Sequence, residues 1–364
     1  MRAEDLSLEE KIGQMLMVGM DIDHPAECIE DLIIKHKIGG VLLYKKNYKS
    51  YEEMVELIQY IKTINKKVNK IPLFIAIDQE GGRVNRLPSD FCNLPAAYLL
   101  AQAPDAEQLV KNAATITGKI LRHSGFNLNF APDMDIKRFS DNHAIGDRAY
   151  SENKDIVAKL GIKSMKGLQE QKIVPVIKHF PGHGATKVDS HFLLPIINKS
   201  IEELKKEDME PFKQAILNGA DSILVSHLLI KGVTGNVPAS MCKEMIQTLR
   251  ENLKFNGLIV TDDMRMKAVS MLYGKNRAIQ KAFLAGNDII VFKYRKKDEV
   301  YQKLIQLAKK EELRGQINAS VERIIKTKQK YEITDEVLNA DLSLEKINKE
   351  ILQIKESIKN NGHS

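Results

Sequence analysis

Ile173-Val174-Pro175-Val176-Ile177-Lys178-His179-Phe180-Pro181-Gly182-His183-Gly184 joins an unbroken apolar run to a cation, two imidazoles and a Pro/Gly-rich break. An apolar run without alternation reads as a strand covered on both faces, the kind found in parallel sheets. Lys178 and His179 then stand at the C-terminal end of that strand. Pro181, Gly182 and Gly184 turn the chain out of the strand into a loop. Farther along, Asp189 and His191 are two residues apart, so in an extended segment their side chains share a side. A carboxylate beside an imidazole fixes its tautomer and raises its basicity, which suits proton transfer. The competing reading is a surface loop with scattered polar residues.

Working outward, the same kind of apolar run recurs at 15–19, 39–44, 72–77, 127–132, 220–225, 257–261 and 288–292. Helical patterns lie between the runs: 29–36, 51–66, 106–122, 156–171, 201–217, 242–252 and 277–285. At 51–66 the apolar face is Met54, Leu57, Ile58 and Ile61. A first short helix opens at Ser7, with Glu10 placed to complete a capping box. Eight strands alternating with helices predict a (β/α)8 TIM-like barrel of the α/β class. A doubly wound sheet is the alternative. It more often carries a glycine fingerprint after its first strand, and Gly81-Gly82 is not that fingerprint. Asp78, Asp133, Lys178, His227 and Asp262 come directly after their strands, on the face where this architecture places its chemistry.

The stretch 299–331 reads as one long helix covering the barrel. Leu344, Ile347, Ile351, Ile354 and Ile358 then repeat at spacings of three and four, an amphipathic helix over 343–360. It either docks on the barrel or pairs with a second chain, so monomer and dimer both stay open. The expected organisation is a catalytic barrel over 1–332 with a C-terminal helical extension over 333–364.

The 364 residues carry a net charge of +7 and no Trp. The lysines are spread along the chain rather than blocked, which argues against nucleic acid as a partner. Cys28, Cys92 and Cys242 show no metal or redox spacing and read as free thiols in a reducing compartment. The acidic, polar N-terminus is not a secretory signal, and no apolar run is long enough to cross a membrane. A cytoplasmic protein is expected.

Two further stretches carry candidate chemistry. Thr261-Asp262-Asp263-Met264 closes the seventh strand. Alternation makes the two aspartates inequivalent, with Asp263 suited to a helix N-cap and Asp262 left for chemistry. Asp78-Gln79-Glu80-Gly81-Gly82-Arg83-Val84-Asn85-Arg86 suits a polyhydroxy ligand, because Asp accepts from hydroxyls and Arg donates several hydrogen bonds. An ordinary βα loop with an internal salt bridge is the plainer reading. Arg148, in Ile145-Gly146-Asp147-Arg148, is another candidate donor.

These motifs together resemble the β-N-acetylglucosaminidases of glycoside hydrolase family 3. The resemblance rests on 178–184 with Asp189-Ser190-His191, on 78–86, on Phe130-Ala131-Pro132-Asp133-Met134-Asp135, on 145–148, on Pro238-Ala239-Ser240 and on 261–264, in the family's order. It implies Asp262 as catalytic nucleophile, His191 as general acid/base on a mobile loop, and Asp189 as its dyad partner. It implies Asp78, Arg86, Arg148, Lys178 and His179 as the groups that hold the sugar. No cofactor is implied, and the partner is a small carbohydrate containing N-acetylglucosamine. Met264-Arg265 departs from the family, where Leu and a small residue are more usual, so an altered pocket wall is expected. Three rivals stand beside this reading. One is a metal-dependent hydrolase using His179, His183, Asp189, His191, His227 and Asp262. Another is a phosphorylase, since a histidine acid/base lacks the charge that repels phosphate. The third is a non-catalytic sugar-binding protein, against which the presence of Asp262, Asp189 and His191 together argues.

Overall fold

The strands form where β-branched and long aliphatic residues run together, and they are buried on both faces: β1 (Leu16–Gly19), β2 (Gly40–Leu42), β3 (Phe74–Ile77), β4 (Leu128–Asn129), β5 (Val174–Phe180), β6 (Ser222–Val225), β7 (Leu258–Thr261) and β8 (Ile290–Lys293). The computed structural model describes residues 2–20, 30–139, 142–186, 194–293, 299–336 and 342–360. Within them the eight strands pair in parallel in the order β8-β1-β2-β3-β4-β5-β6-β7. The sheet closes on itself between β7 and β8. Val260 bridges Ile289, the Thr261 N–H donates to the Ile289 carbonyl at 3.0 Å, and the Val291 N–H donates to Thr261 Oγ1 at 2.9 Å. A closed parallel sheet with helices outside is the (β/α)8 barrel.

The long helices sit close to their expected positions, at Tyr51–Val68, Ala106–Ser124, Lys154–Glu170 and Lys275–Ala285. Ser7 and Glu10 form the expected capping box: the Glu10 N–H donates to Ser7 Oγ at 3.2 Å, and the Ser7 N–H donates to Glu10 Oε2 at 2.8 Å. Two expected helices are broken. The stretch 201–217 divides into Ile201–Lys206 and Glu210–Leu217. Asp208 lies buried in the gap, taking Arg138 Nε at 2.9 Å and Lys199 Nζ at 2.5 Å, and Pro211 starts the second helix. The stretch 299–331 divides into Val300–Ala308 and Arg314–Lys330. The exposed run Lys309-Lys310-Glu311-Glu312 between them offers no apolar residue to hold one continuous helix on the core.

The C-terminal helix, Leu344–Asn360, lies on its own barrel. Ile347, Ile351 and Ile354 are buried against the layer that contains Ala106–Ser124. Glu350 pairs with Lys119 at 3.1 Å, and Asn348 takes the Cys92 N–H at 2.7 Å while donating to the Asp90 carbonyl at 2.8 Å. At the opposite end of the barrel from the strand C-termini, Lys328 is buried beneath β1 and β2. It donates to Gln14 Oε1 at 2.8 Å and to the Gly39 carbonyl at 3.0 Å, over the face of Phe74.

Candidate active site

A cavity of about 510 Å³ opens at the C-terminal ends of the strands. Asp78 is the first residue past β3. The chain then reverses at Gly81 and Gly82, which have φ of 100° and 54°. A side chain on either would also collide, since a Cβ on Gly81 would lie 2.8 Å from the Pro95 carbonyl and one on Gly82 2.7 Å from the Ala96 Cβ. The reversal returns Arg86 to the cavity wall, with its N–H donating to Gln79 Oε1 at 2.7 Å.

One acid organises the cations here. Glu80 takes Arg148 Nε at 2.8 Å and Nη2 at 2.7 Å, a bidentate pair, and accepts Lys178 Nζ at 2.5 Å. Lys178 also donates to Asp78 Oδ1 at 2.5 Å, and Arg86 reaches Asp78 Oδ2 at 3.5 Å. Burial pushes the Glu80 carboxyl up, but Arg148 and Lys178 outweigh it and hold Glu80 well below the usual range. Lys178 is raised: burial lowers it, and Asp78 and Glu80 more than compensate. Both cations therefore stay charged at the cavity wall.

His179 stands inside this network rather than beside it. Arg148 Nη2 is 3.2 Å from His179 Nε2, and His179 Nδ1 is 2.7 Å from Asp135 Oδ2. Guanidinium can only donate, so Nε2 accepts and Nδ1–H donates to Asp135. Burial and Arg148 pull the His179 pKa down to about 4, which keeps the ring neutral and agrees with that tautomer. Asp135 Oδ1 also takes the His183 N–H at 2.6 Å, and Asp133 Oδ1 takes the Asp135 N–H at 2.8 Å. Asp133 Oδ2 is buried 3.6 Å from Arg148 Nε, without a hydrogen-bond partner among the described residues. Burial pushes Asp133 and Asp135 up to about 7 and about 6, with Asp135 adding to the rise at Asp133.

Asp262 comes directly after β7, and its Oδ1 takes the Asp263 N–H at 2.8 Å. Burial pushes its carboxyl up, but His227, His179, the Asp263 N–H and Lys178 outweigh it, so Asp262 ends below the ordinary value and is ionised. His227, past β6, ties this strand end to the next loop, with Nδ1 2.7 Å from Ser240 Oγ and Nε2 3.0 Å from the Asp263 carbonyl oxygen. Asp263 does not cap the next helix. Its Oδ1 takes the Arg265 N–H at 2.9 Å, the helix begins at Lys267, and Asp263 lines the cavity together with Asp262.

The profile of the "Glycosyl hydrolase family 3 N terminal domain" matches residues 7–327. The chain belongs to glycoside hydrolase family 3. The family 3 chain is 31% identical over 265 residues to the beta-hexosaminidase of Methylobacillus flagellatus, covering 71% of this chain and 74% of that one. It is 34% identical over 263 residues to the beta-hexosaminidase of Tolumonas auensis, covering 71% and 77%. Its fold superposes with a TM-score of 0.88 on a glycoside hydrolase family 3 beta-N-acetylglucosaminidase from Paenibacillus, at 32% identity, over 97% of this chain and 69% of that one.

Of the site residues expected from sequence, Asp78, Arg86, Arg148, Lys178, His179 and Asp262 all line one cavity of this family 3 hydrolase. Asp189 and His191 lie outside the described residues, as does Cys28. Glu80 is not singled out by sequence, although it sits inside the third-strand motif. Its signal is an acid two residues past Asp78, flanked by the glycines that turn the chain. Met264 is fully buried and packs into the core, and Met266 rather than Met264 reaches the cavity wall. Among the described residues, Asp133, Asp135 and His179 form the group with atoms close enough to share a metal ion. The direct hydrogen bond between His179 and Asp135 and the Arg148 guanidinium against both His179 and Asp133 suit that group to a proton better than to a second cation.

Proposed function

We propose that this hydrolase is a retaining exo-β-N-acetylglucosaminidase that removes terminal β-linked N-acetylglucosamine. The observation that carries the reading is an ionised Asp262 in the same cavity as the Asp78–Lys178–Arg86 cluster. The beta-hexosaminidase names of the relatives and the beta-N-acetylglucosaminidase fold neighbour support it. In the proposed reaction an Asp262 oxygen attacks the anomeric carbon as the bond to the leaving oxygen breaks, giving a glycosyl-Asp ester. His191 gives its proton to that leaving oxygen, then takes one from the water that hydrolyses the ester, and Asp189 stabilises the imidazolium. Asp78, Arg86, Lys178 and Arg148 take the sugar's polar groups, with His179 orienting Arg148.

The proposed substrates are cell-wall fragments in which N-acetylglucosamine is β-1,4-linked to anhydro-N-acetylmuramic acid, met in the cytoplasm during wall recycling. The test compares an aryl β-N-acetylglucosaminide with the matching glucoside, with and without phosphate. Preference for the N-acetylated sugar and a free-sugar product support the reading. Preference for the glucoside, or a sugar phosphate as product, overturns it. Among the described residues, the Asp133–Asp135–His179 group gives a metal-dependent reading its specific footing. Full activity after exhaustive chelation excludes that alternative.

A further inference from the structure

Tyr44 lines the cavity with Asp78, Asp262 and Asp263 and has no part in the mechanism above. It lies two residues past β2. A tight turn fixes its backbone: its N–H donates to Asn47 Oδ1 at 2.7 Å and its carbonyl takes the Asn47 N–H at 2.9 Å. The ring lies over Gly19, the last residue of β1. A Cβ on Gly19 would stand 2.3 Å from the phenol oxygen and 3.0 Å from the ring carbons Cε2 and Cζ. Lys293, at the end of β8, has its Nζ 5.6 Å from the ring centroid. The ring is thus set across the ends of β2, β1 and β8, beside the strand that delivers Asp262.

The hydroxyl on this ring has no packing task. Among the described residues it makes no hydrogen bond, and phenylalanine would fill the same space without placing an unpaired polar atom there. Burial and then the carboxylates Asp263, Asp78 and Asp262 raise the phenol pKa far above its ordinary value, so the oxygen keeps its proton and remains a donor. A fixed donor among carboxylates, on the wall of a cavity built for a polyhydroxy ligand, is positioned for that ligand.

We propose that Tyr44 is a substrate-contacting residue: its phenol O–H donates a hydrogen bond to an oxygen of the sugar that Asp262 attacks, and Gly19 is the recess that admits the ring. The proposal deepens the glycosidase reading and rests on it. Tyr44→Phe removes only the oxygen. It should lower kcat/KM on an aryl β-N-acetylglucosaminide by roughly tenfold, the scale of one lost hydrogen bond to a buried ligand, with the thermal midpoint unchanged. Gly19→Ala should lower kcat/KM as well by displacing the hydroxyl. Its effect should shrink when added to Tyr44→Phe, since no hydroxyl is left to displace. Wild-type kcat/KM in Tyr44→Phe overturns the proposal, as does a loss accounted for by a lower thermal midpoint. A Tyr44→Phe enzyme that moves only the acidic limb of the pH profile, with its plateau intact, also overturns it, because the hydroxyl is then serving the Asp262 carboxylate. If the wild type cleaves only the glucoside, the N-acetyl assignment fails and the same Tyr44 comparison is made on that substrate. A wild type that cleaves no glycoside sinks both.

Discussion

Two buried lysines, one at each end of this barrel, are held in opposite ways. At the mouth, Lys178, Arg148 and Arg86 are interleaved with Asp78 and Glu80, and Lys178 and Arg148 are held firmly charged. At the base, Lys328 has neutral acceptors and an aromatic face for company. Burial pulls its pKa down to about 7, and Asp335 recovers part of the shift. A cation on the cavity wall is kept charged by acids that would otherwise repel one another. A cation that fills space between strands gives up its proton most easily. Pairing, more than depth, separates these two lysines; where the base does bury an acid, at Asp288, Arg250 and Arg323 pair with it at 2.5 and 2.8 Å.

The largest expected effect is at the mouth. Asp262→Ala should leave no detectable turnover. His191→Ala should lose roughly 10²–10⁴-fold, with less loss on aryl substrates whose leaving groups need no proton. Equal losses in the two variants on an activated substrate, with binding unchanged, would break the proposed division of roles. Next is Glu80→Gln, which weakens the anchor of Arg148 and Lys178 together. It should cost about 3–5 kcal/mol of stability, the usual scale for breaking a buried ion pair, and should lower kcat/KM more than any single cavity cation replaced by Gln. An enzyme unchanged in kcat/KM and in chemical denaturation would show that the mouth needs no such hub.

Smaller effects come from pH. Asp133 and Asp135 have folded pKa values above their unfolded ones, so the stability they contribute is complete below about 4 and is lost as pH rises through about 6 to 7. Lys328 runs the other way. Its folded pKa is below the unfolded one, so its contribution grows from about 7 up to about 10.4. Denaturation at a series of pH values should show Asp133→Asn flattening the acidic slope and Lys328→Met flattening the alkaline one. If either variant flattens both slopes, the two ends do not titrate independently. The smallest effect should be on catalysis in Lys328→Met, with kcat/KM near wild type at neutral pH.

Much of the barrel is legible in the sequence because parallel strands buried on both faces are written as unbroken apolar runs. All eight runs are strands; of the polar residues directly after them, Asp78, Lys178 and Asp262 line the cavity, while Asp133 and His227 stand against its wall residues Arg148 and Asp263. Local pattern fails where tertiary partners outrank it. Asp208 looks like a solvated helix residue, yet Arg138 and Lys199 draw it inward and split the helix. Lys328, near the C-terminus of a helix, reads as a surface charge that complements the dipole, yet it is buried with its ammonium over the Phe74 ring. Asp263 has the right type for an N-cap but commits its carboxylate before the helix begins, to Arg265. Glu80 is invisible as a hub because its partners are 68 and 98 residues away in the chain. Tyr44 closes a hydrophobic run, and only its seat over Gly19 sets it apart from a core aromatic.

The docking of Leu344–Asn360 has a practical side. Asn348 grips the main chain at Asp90 and Cys92, and the Asp90 carboxylate in turn receives the Tyr51 N–H at 3.2 Å, a few residues from Arg86 and the turn after Tyr44. The tail is therefore a brace for the cavity rim, and anyone trimming the protein for crystals or fusions should expect shortened versions to fold around a loosened cavity.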